Sequence, residues 1–336
     1  MVARVAWLAI LIIFFAPTLS AKTESAENNS SPVQNPIMVK FIDDMVKKHK
    51  FKKDALQVMF EDVVILPEVI KKITRPAESW PWYRYRNLFM KQERIDQGVE
   101  FWNEHSDILK KAERTYGVPA HIIVAILGVE TKYGRITGSY RLLDSLTTLI
   151  VDYPRRSKFF RKELEHVLLL AREENIDPLT VQGSYAGAMG KPQFMPSSYR
   201  AYAIDFDKDG HRDLWNNSAD AIGSVASYLK KHGWKANQSI VGVAKVEGDS
   251  YKRLLKKSLK PSVKLSELAK YKVTTDLDEL SNQKAVLIEL EQKKSKEYWL
   301  GLGNFYAITR YNHSALYAMA VYQLAESVKE KRQNSN

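Results

Sequence analysis

Between His121 and Val129 the chain carries hardly a polar side chain, and the pattern on either side is arranged around that run. Ile122, Ile126 and Val129 form one stripe at helical spacing, and Ile123 with Leu127 forms the next. A helix that is apolar on both sides is a buried helix. Pro119 suits its first turn, where a missing N–H costs nothing. Gly134 is placed to end it. Glu130 follows Ile123 by seven residues and Leu127 by three, so it lies on a face that belongs inside.

Elsewhere the pattern is amphipathic. From Ile37 to Lys72, apolar positions at Phe41, Met45, Leu56, Met59 and Phe60 alternate with Lys-rich faces. Ile95 to Tyr116 reads as one helix ended by Gly117, and Leu142 to Ile150 as a short apolar element broken at Tyr153-Pro154. Ser157 to Glu174 is a helix with Leu164, Val167, Leu168 and Ala171 inward. Gly183 to Ser197 is glycine-rich and too irregular for a long helix; a short helix over Ser198–Ala203 and a longer one over Ala219–His232 follow. Then the period changes. Ile240–Val246 alternates, Lys284–Gln292 is β-rich, and Glu297–Ile308 alternates through Tyr298, Leu300 and Leu302. A helix over Ser314–Lys329 closes the chain. The expectation is a mainly α (α+β) protein: a helical region over 37–236, a small β-containing domain over 237–309, and a C-terminal helix within 310–336 returning to the helical region. No internal repeat is visible.

The N-terminus stands apart. Arg4 precedes an apolar run from Val5 to Ala16, and the small residues Thr18, Ser20 and Ala21 follow Pro17. Residues 1–21 read as a cleavable signal peptide, with a retained anchor as the alternative. Residues 22–36 read as a polar, disordered linker. The 336 residues include no Cys, which leaves no disulfide, no thiolate nucleophile and no Cys for a lipoprotein anchor. The net charge is +12. A basic balance commonly points to nucleic acid. Export redirects it to an anionic polymer outside the inner membrane, such as wall glycan with its peptide carboxylates.

Burial favours the neutral form of a carboxyl group and raises its pKa, which suits Glu130 to general acid work near pH 7. The alternative is a Glu paired with an Arg at the core edge. Asp205, Asp207 and Asp209 occupy positions 1, 3 and 5 of an EF-hand-type loop, Gly210 is the turn glycine, and His211 would offer its carbonyl. Position 12 is Asn216 instead of Glu, so Asp220 is the candidate last ligand. A structural calcium ion is expected, against a metal-free acidic loop. Ser184, Gln193 and the N–H groups of 187–190 suit hydrogen bonding to a polar ligand. GSYAG is not a nucleophile elbow, and the seven His show neither HExxH nor an i, i+4 pair, so catalytic zinc is not expected. The aromatic segment Ser79–Phe89, with Arg84 and Arg86, is either core or a sugar-stacking wall.

Four blocks stand in order: GVETKYG; GSYAGAMGKPQFMPSSY; the D-x-D-x-D-G loop with LWN and ADAIGSVASYLKKHGW; and FYAITRYNHS. Together, over about residues 38–325, they resemble the family of membrane-bound lytic murein transglycosylase B. The resemblance implies a lysozyme-like helical core containing an EF-hand-like calcium loop, and a small β-containing domain. It implies peptidoglycan glycan strands as substrate, cut between N-acetylmuramic acid and N-acetylglucosamine with formation of 1,6-anhydromuramic ends. Glu130 would be the single acid/base. Ser184 and Gln193 fall in the family's substrate-binding block, and Tyr311 and Asn312 in its RYN block. Tyr85, Arg155, Arg156 and Tyr228 match groove-lining positions. No organic cofactor and no nucleic acid are expected. The protein is expected to be a periplasmic monomer, with cell-wall synthesis or hydrolysis proteins as partners. The named relative is a lipoprotein, which this chain without Cys cannot be. A hydrolytic lysozyme-like muramidase and a non-catalytic peptidoglycan-binding protein are the rival readings.

Overall fold

The structure is a computed structural model describing residues 32–74, 79–277 and 282–335. The expected signal peptide and most of the expected linker lie outside the described residues. At the end of that linker Pro32–Gln34 form a 3-10 turn with Pro32 buried, so packing starts before composition indicates.

Three helices open the fold: α1 (Pro36–His49), α2 (Lys53–Glu61) and α3 (Pro67–Ile73). The Asn35 side chain accepts from Ile37 N at the start of α1, and Pro36 takes the first helical position. The aromatic segment forms α4 (Trp82–Arg86), with Trp82 and Tyr85 buried. α5 (Gln92–Glu104) and α6 (Ser106–Tyr116) replace the single helix expected over 95–116. The break is at His105, whose φ of −109° and ψ of 25° leave the helical region and whose ring sits 4.4 Å from that of Phe101. A one-residue break keeps the apolar period nearly in phase, so the pattern hides it.

After α7 (Ala120–Thr131) come α8 (Leu142–Asp152), α9 (Ser157–Glu173), α10 (Pro196–Tyr202), α11 (Ser218–Lys231), α12 (Gly303–Tyr311) and α13 (Ala315–Asn334). α7 is the central helix: ten of its twelve residues are buried, and α5, α6, α11 and α13 pack against it. It stops earlier than Gly134. Lys132 (φ 49°) and Tyr133 (φ 62°) already take the left-handed conformation. A lock holds that end. Tyr133 folds back so that its hydroxyl donates to Arg94 O at 2.8 Å, and Arg94 Nη1 donates to Gly128 O at 2.7 Å. A Cβ on Gly128 would lie 2.6 Å from the Tyr133 ring, and one on Gly98 would lie 2.6 Å from its hydroxyl. The two glycines are therefore the slot that receives Tyr133, between α5 and α7.

Strands β1 (Tyr140–Arg141) and β2 (Gln182–Gly183) form a short antiparallel pair at the base of the α8–α9 hairpin. The five-stranded sheet uses β3 (Val241–Val246), β4 (Val263–Lys264), β5 (Val273–Thr275), β6 (Lys284–Glu291) and β7 (Lys296–Gly301), in the order β4-β6-β7-β3-β5. On β6 the alternation divides two cores. Val286, Ile288 and Leu290 join the main helical core, whereas Ala285 and Leu287 join a second cluster with Leu300, Tyr251, Leu254, Leu265 and Leu268. A strand buried on both faces reads as a continuous apolar run, which is why KAVLIEL lacks clean alternation. The strand expected over Glu297–Ile308 ends at Gly301. Residues Gly303–Tyr311 are helical, with Phe305, Ile308 and Tyr311 at spacing three facing the main core. Asn304 fixes that start: Nδ2 donates to Lys235 O and Gln238 O, both at 2.8 Å, and Oδ1 accepts from Lys235 N at 2.8 Å.

Gly128→Ala is expected to destabilise the protein by about 1–3 kcal/mol through overpacking against Tyr133. In an open helix the same change stabilises by up to about 1 kcal/mol. Urea unfolding reads the sign, and a variant as stable as the parent contradicts the lock.

Candidate active site

Three parts of the chain converge: the end of α7, the glycine-rich block after β2, and the junction of α12 with α13. Glu130 is the last residue but one of α7 and is half-buried. Its Oε1 accepts from the Tyr317 hydroxyl at 2.6 Å. Tyr317 stands in the first turn of α13, fully buried, where Ser314 Oγ caps the helix by accepting from Tyr317 N at 3.3 Å. The Tyr311 ring, at the end of α12, stacks near-parallel on Tyr317 at 6.4 Å, and its hydroxyl donates to Pro192 O at 2.6 Å. Burial pushes both phenols well above their usual pKa, and the nearby Glu130 charge pushes the same way. Both therefore remain neutral hydrogen-bond donors across the physiological range.

The glycine-rich block is tied to the α7 end from the other side. The Thr131 hydroxyl donates to Lys191 O at 2.8 Å, and Lys191 Nζ donates to Asn216 O at 3.0 Å and Ser218 Oγ at 2.8 Å. Gln193 has φ 52°; its Nε2 donates to Thr137 O and Gly190 O, both at 2.9 Å. Its buried Oε1 is left without a protein partner. Ser184 is fully buried, and its Oγ accepts from Ala188 N at 2.9 Å, so this hydroxyl shapes the turn. Phe194 packs on the rings of Tyr228 (5.4 Å) and Tyr311 (5.7 Å), which touch each other at 4.9 Å. Tyr228 donates to Arg310 O at 2.6 Å.

Glu130, Tyr311, Gln193 and Tyr228 are thus brought into one neighbourhood, with Asn312 buried beside Tyr311. Tyr85 is fully buried against Trp82 and Phe89, near Tyr317. Arg155 and Arg156 lie on the 3-10 turn Pro154–Arg156, with Arg156 over the Phe159 ring at 4.2 Å. Among the described contacts, none joins these two arginines to Glu130. Tyr317 is the residue that sequence reasoning did not single out. In the pattern it is one more aromatic on an apolar helix face; only its partner gives it away.

Three other acids are buried among the described residues, and each holds local structure. Asp144 accepts from Val64 N and pairs with Arg141. Glu163 accepts from Ser197 N and Ser197 Oγ, both at 2.9 Å, at the start of α10; burial pushes its pKa up. Asp220 accepts from Phe206 N at 2.7 Å and Asp213 N at 2.9 Å. Burial raises its pKa, and the charges of Asp207 and Asp205 raise it further.

Those two charges belong to the acidic loop between α10 and α11. One carboxylate oxygen from each of Asp205, Asp207 and Asp209 lies within 4.8 Å of the others. Gly210, at φ 97°, makes the turn, and the carboxylates accept N–H groups from Lys208, Asp209, Gly210 and His211. Among the described residues none of the three is in an ion pair, and the charge accumulates over buried Asp220. Oxygen donors gathered in this way fit a hard divalent cation. His211 follows in the loop, exposed, with its N–H donating to Asp209 Oδ1 at 2.9 Å.

The chain matches the family described as the transglycosylase SLT domain over residues 34–326. It is 44% identical over 304 residues to membrane-bound lytic murein transglycosylase B of Escherichia coli (strain K12), covering 88% of this chain and 83% of that protein. The crystal structure of soluble lytic transglycosylase SltB1 from Pseudomonas aeruginosa superimposes with a TM-score of 0.84 at 49% identity, over 89% of this chain and all of the other. The Escherichia coli lytic transglycosylase Slt35 in complex with calcium gives 0.82 at 44% identity, over 89% and 94% of the two chains. The helical core is accordingly of the lysozyme-like type found in lytic transglycosylases.

Tyr317→Phe removes one hydrogen bond to a carboxylate, worth about 1.5–3 kcal/mol. The turnover of a reaction carried by Glu130 is expected to fall about 10- to 100-fold, with KM little changed. A loss confined to KM contradicts a role at Glu130.

Proposed function

This chain belongs to the transglycosylase SLT domain family and is a lytic murein transglycosylase acting on peptidoglycan, and from that premise we propose that Glu130 is its single acid/base. The observation that carries the reading is the Glu130 carboxyl at the end of the buried helix α7, held by the Tyr317 hydroxyl at 2.6 Å. The other buried acids described are occupied elsewhere. Most glycosidases flank the bond with two carboxylates; an internal nucleophile removes the need for the second.

In this mechanism Glu130 enters protonated. It gives its proton to the oxygen linking N-acetylmuramic acid to N-acetylglucosamine, and the C1–O bond breaks. The muramic N-acetyl group stabilises the cation at C1. The Glu130 carboxylate then takes the proton of the C6 hydroxyl, and that oxygen closes on C1. Glu130 is protonated again, the product is a 1,6-anhydro sugar, and no water is consumed. Tyr317 holds the carboxylate through both steps. Gln193 Oε1, buried and without a protein partner, is the natural acceptor for a substrate N–H or O–H. Tyr311, Asn312 and Tyr228 stiffen the wall beside it. Ser184 shapes the turn of that wall, and Tyr85 lies buried near Tyr317. Arg155 and Arg156 are assigned to the outer groove, where peptide carboxylates would pass.

Asp205, Asp207 and Asp209, with the His211 carbonyl and Asp220, would hold one calcium ion, which would neutralise the loop and stiffen the α10–α11 connection. The calcium complex of the Escherichia coli relative supports this assignment. Residues 1–21 are assigned as an export signal to the periplasm. Among the described residues no helix is long and apolar enough to cross a membrane.

Glu130→Gln keeps the shape of the side chain and cannot transfer the proton. Cleavage of purified sacculi is expected to fall by about 10²–10⁴-fold or more, with the circular dichroism spectrum unchanged. Activity within tenfold of the parent would remove Glu130 from the mechanism. For the loop, added calcium should raise the melting temperature, because a ligand of the folded state alone stabilises it, and chelation should lower it. Indifference to both would leave the loop metal-free.

A further inference from the structure

The segment from Lys252 to Lys272 holds eight Lys and Arg residues against one acid, Glu267. Its net charge of +7 is more than half of the chain's +12. All eight cations are exposed. Lys252 pairs with Asp249 at 2.6 Å, and among the described residues the other seven are in no ion pair. The segment is structured: two 3-10 stretches, Ser250–Leu254 and Leu265–Tyr271, flank β4. Tyr251, Leu254, Leu265 and Leu268 anchor it in the second hydrophobic cluster. That cluster covers the sheet face opposite to the one carrying Val286, Ile288 and Leu290 against the helices. The cations therefore form an exposed layer over that second cluster, and among the described residues none of them is in contact with Glu130 by hydrogen bond or ion pair. In the β4–β6 register Lys264 stands directly opposite Lys284. Like charges at that position destabilise a sheet, so fold stability alone does not account for the pattern.

We infer that this layer is a docking surface for the intact wall, binding peptide-stem carboxylates of peptidoglycan away from the bond being cut; the inference rests on the peptidoglycan reading above. A single exposed cation contributes little. Many of them facing a dense array of carboxylates act together, and salt screens them together. Such a surface would keep the enzyme on the sacculus between cuts without touching the chemistry.

The test uses Lys256, Lys257, Lys260 and Lys270, each changed to Gln in one full-length variant. Cleavage of short soluble glycan strands should be unchanged, which also reports that the fold and the transglycosylase activity are intact. Co-sedimentation with purified sacculi, measured in a Glu130→Gln background to prevent digestion, should weaken about tenfold or more at low salt. Binding of the unmodified surface should fall with added NaCl and on converting the sacculus carboxylates to amides. Equal binding by both forms, or binding indifferent to amidation, overturns the inference. Binding to phosphatidylglycerol vesicles but not to sacculi would overturn it in favour of a lipid surface. Parent protein inactive on soluble strands would instead count against the transglycosylase reading, whatever the binding result.

Discussion

The structure is organised around an almost wholly apolar helix with one carboxyl group near its end. α7 fixes the backbone that carries Glu130, because ten of its twelve residues are buried and four helices surround it. The end of α7 is fixed by Tyr133 in its slot between Gly98 and Gly128, and by Thr131 reaching Lys191 O. Across from it, the α12–α13 junction supplies Tyr317, and Tyr311 ties that junction to Pro192. An acid held in this way would reach a bound substrate with little rearrangement, which is where preorganised sites gain their rate.

The same economy appears in the polar groups away from Glu130. Asp144, Glu163 and Asp220 are buried, yet each answers specific donors: an arginine, a helix start, and two loop N–H groups. Their occupation makes the single-acid account more than a default. Asp220 also connects the acidic loop to the core, so an ion bound by Asp205, Asp207 and Asp209 would report directly on the packing of α11.

The central helix was legible in the sequence because a run apolar on both faces must be covered on both faces; Glu130, expected inside, is only half-buried at the helix end. The acidic loop was legible because its spacing and its glycine are tightly constrained. Other features were hidden for physical reasons. The break at His105 costs one residue and leaves the apolar stripe in place. Residues 303–311 contain apolar positions that satisfy either period, and the Asn304 hydrogen bonds that decide for a helix connect segments about 66–69 residues apart. Tyr317 lies 187 residues from Glu130, and no local pattern marks a buried tyrosine as a partner instead of core. Tyr85 stands on family resemblance, whereas the glycine-rich block itself suggests Ser184 as a hydrogen-bonding group for a polar ligand; both side chains are buried, and the Ser184 hydroxyl is taken by Ala188 N.

The central claim is that one carboxyl group serves as acid and then as base, with the nucleophile inside the substrate. Mass spectrometry of the fragments released from purified sacculi tests this most directly. The account predicts muramic ends in the 1,6-anhydro form, each one water lighter than a hydrolysed end. Reducing muramic ends as the primary product would contradict it, because water, and not the C6 hydroxyl, would then be the nucleophile.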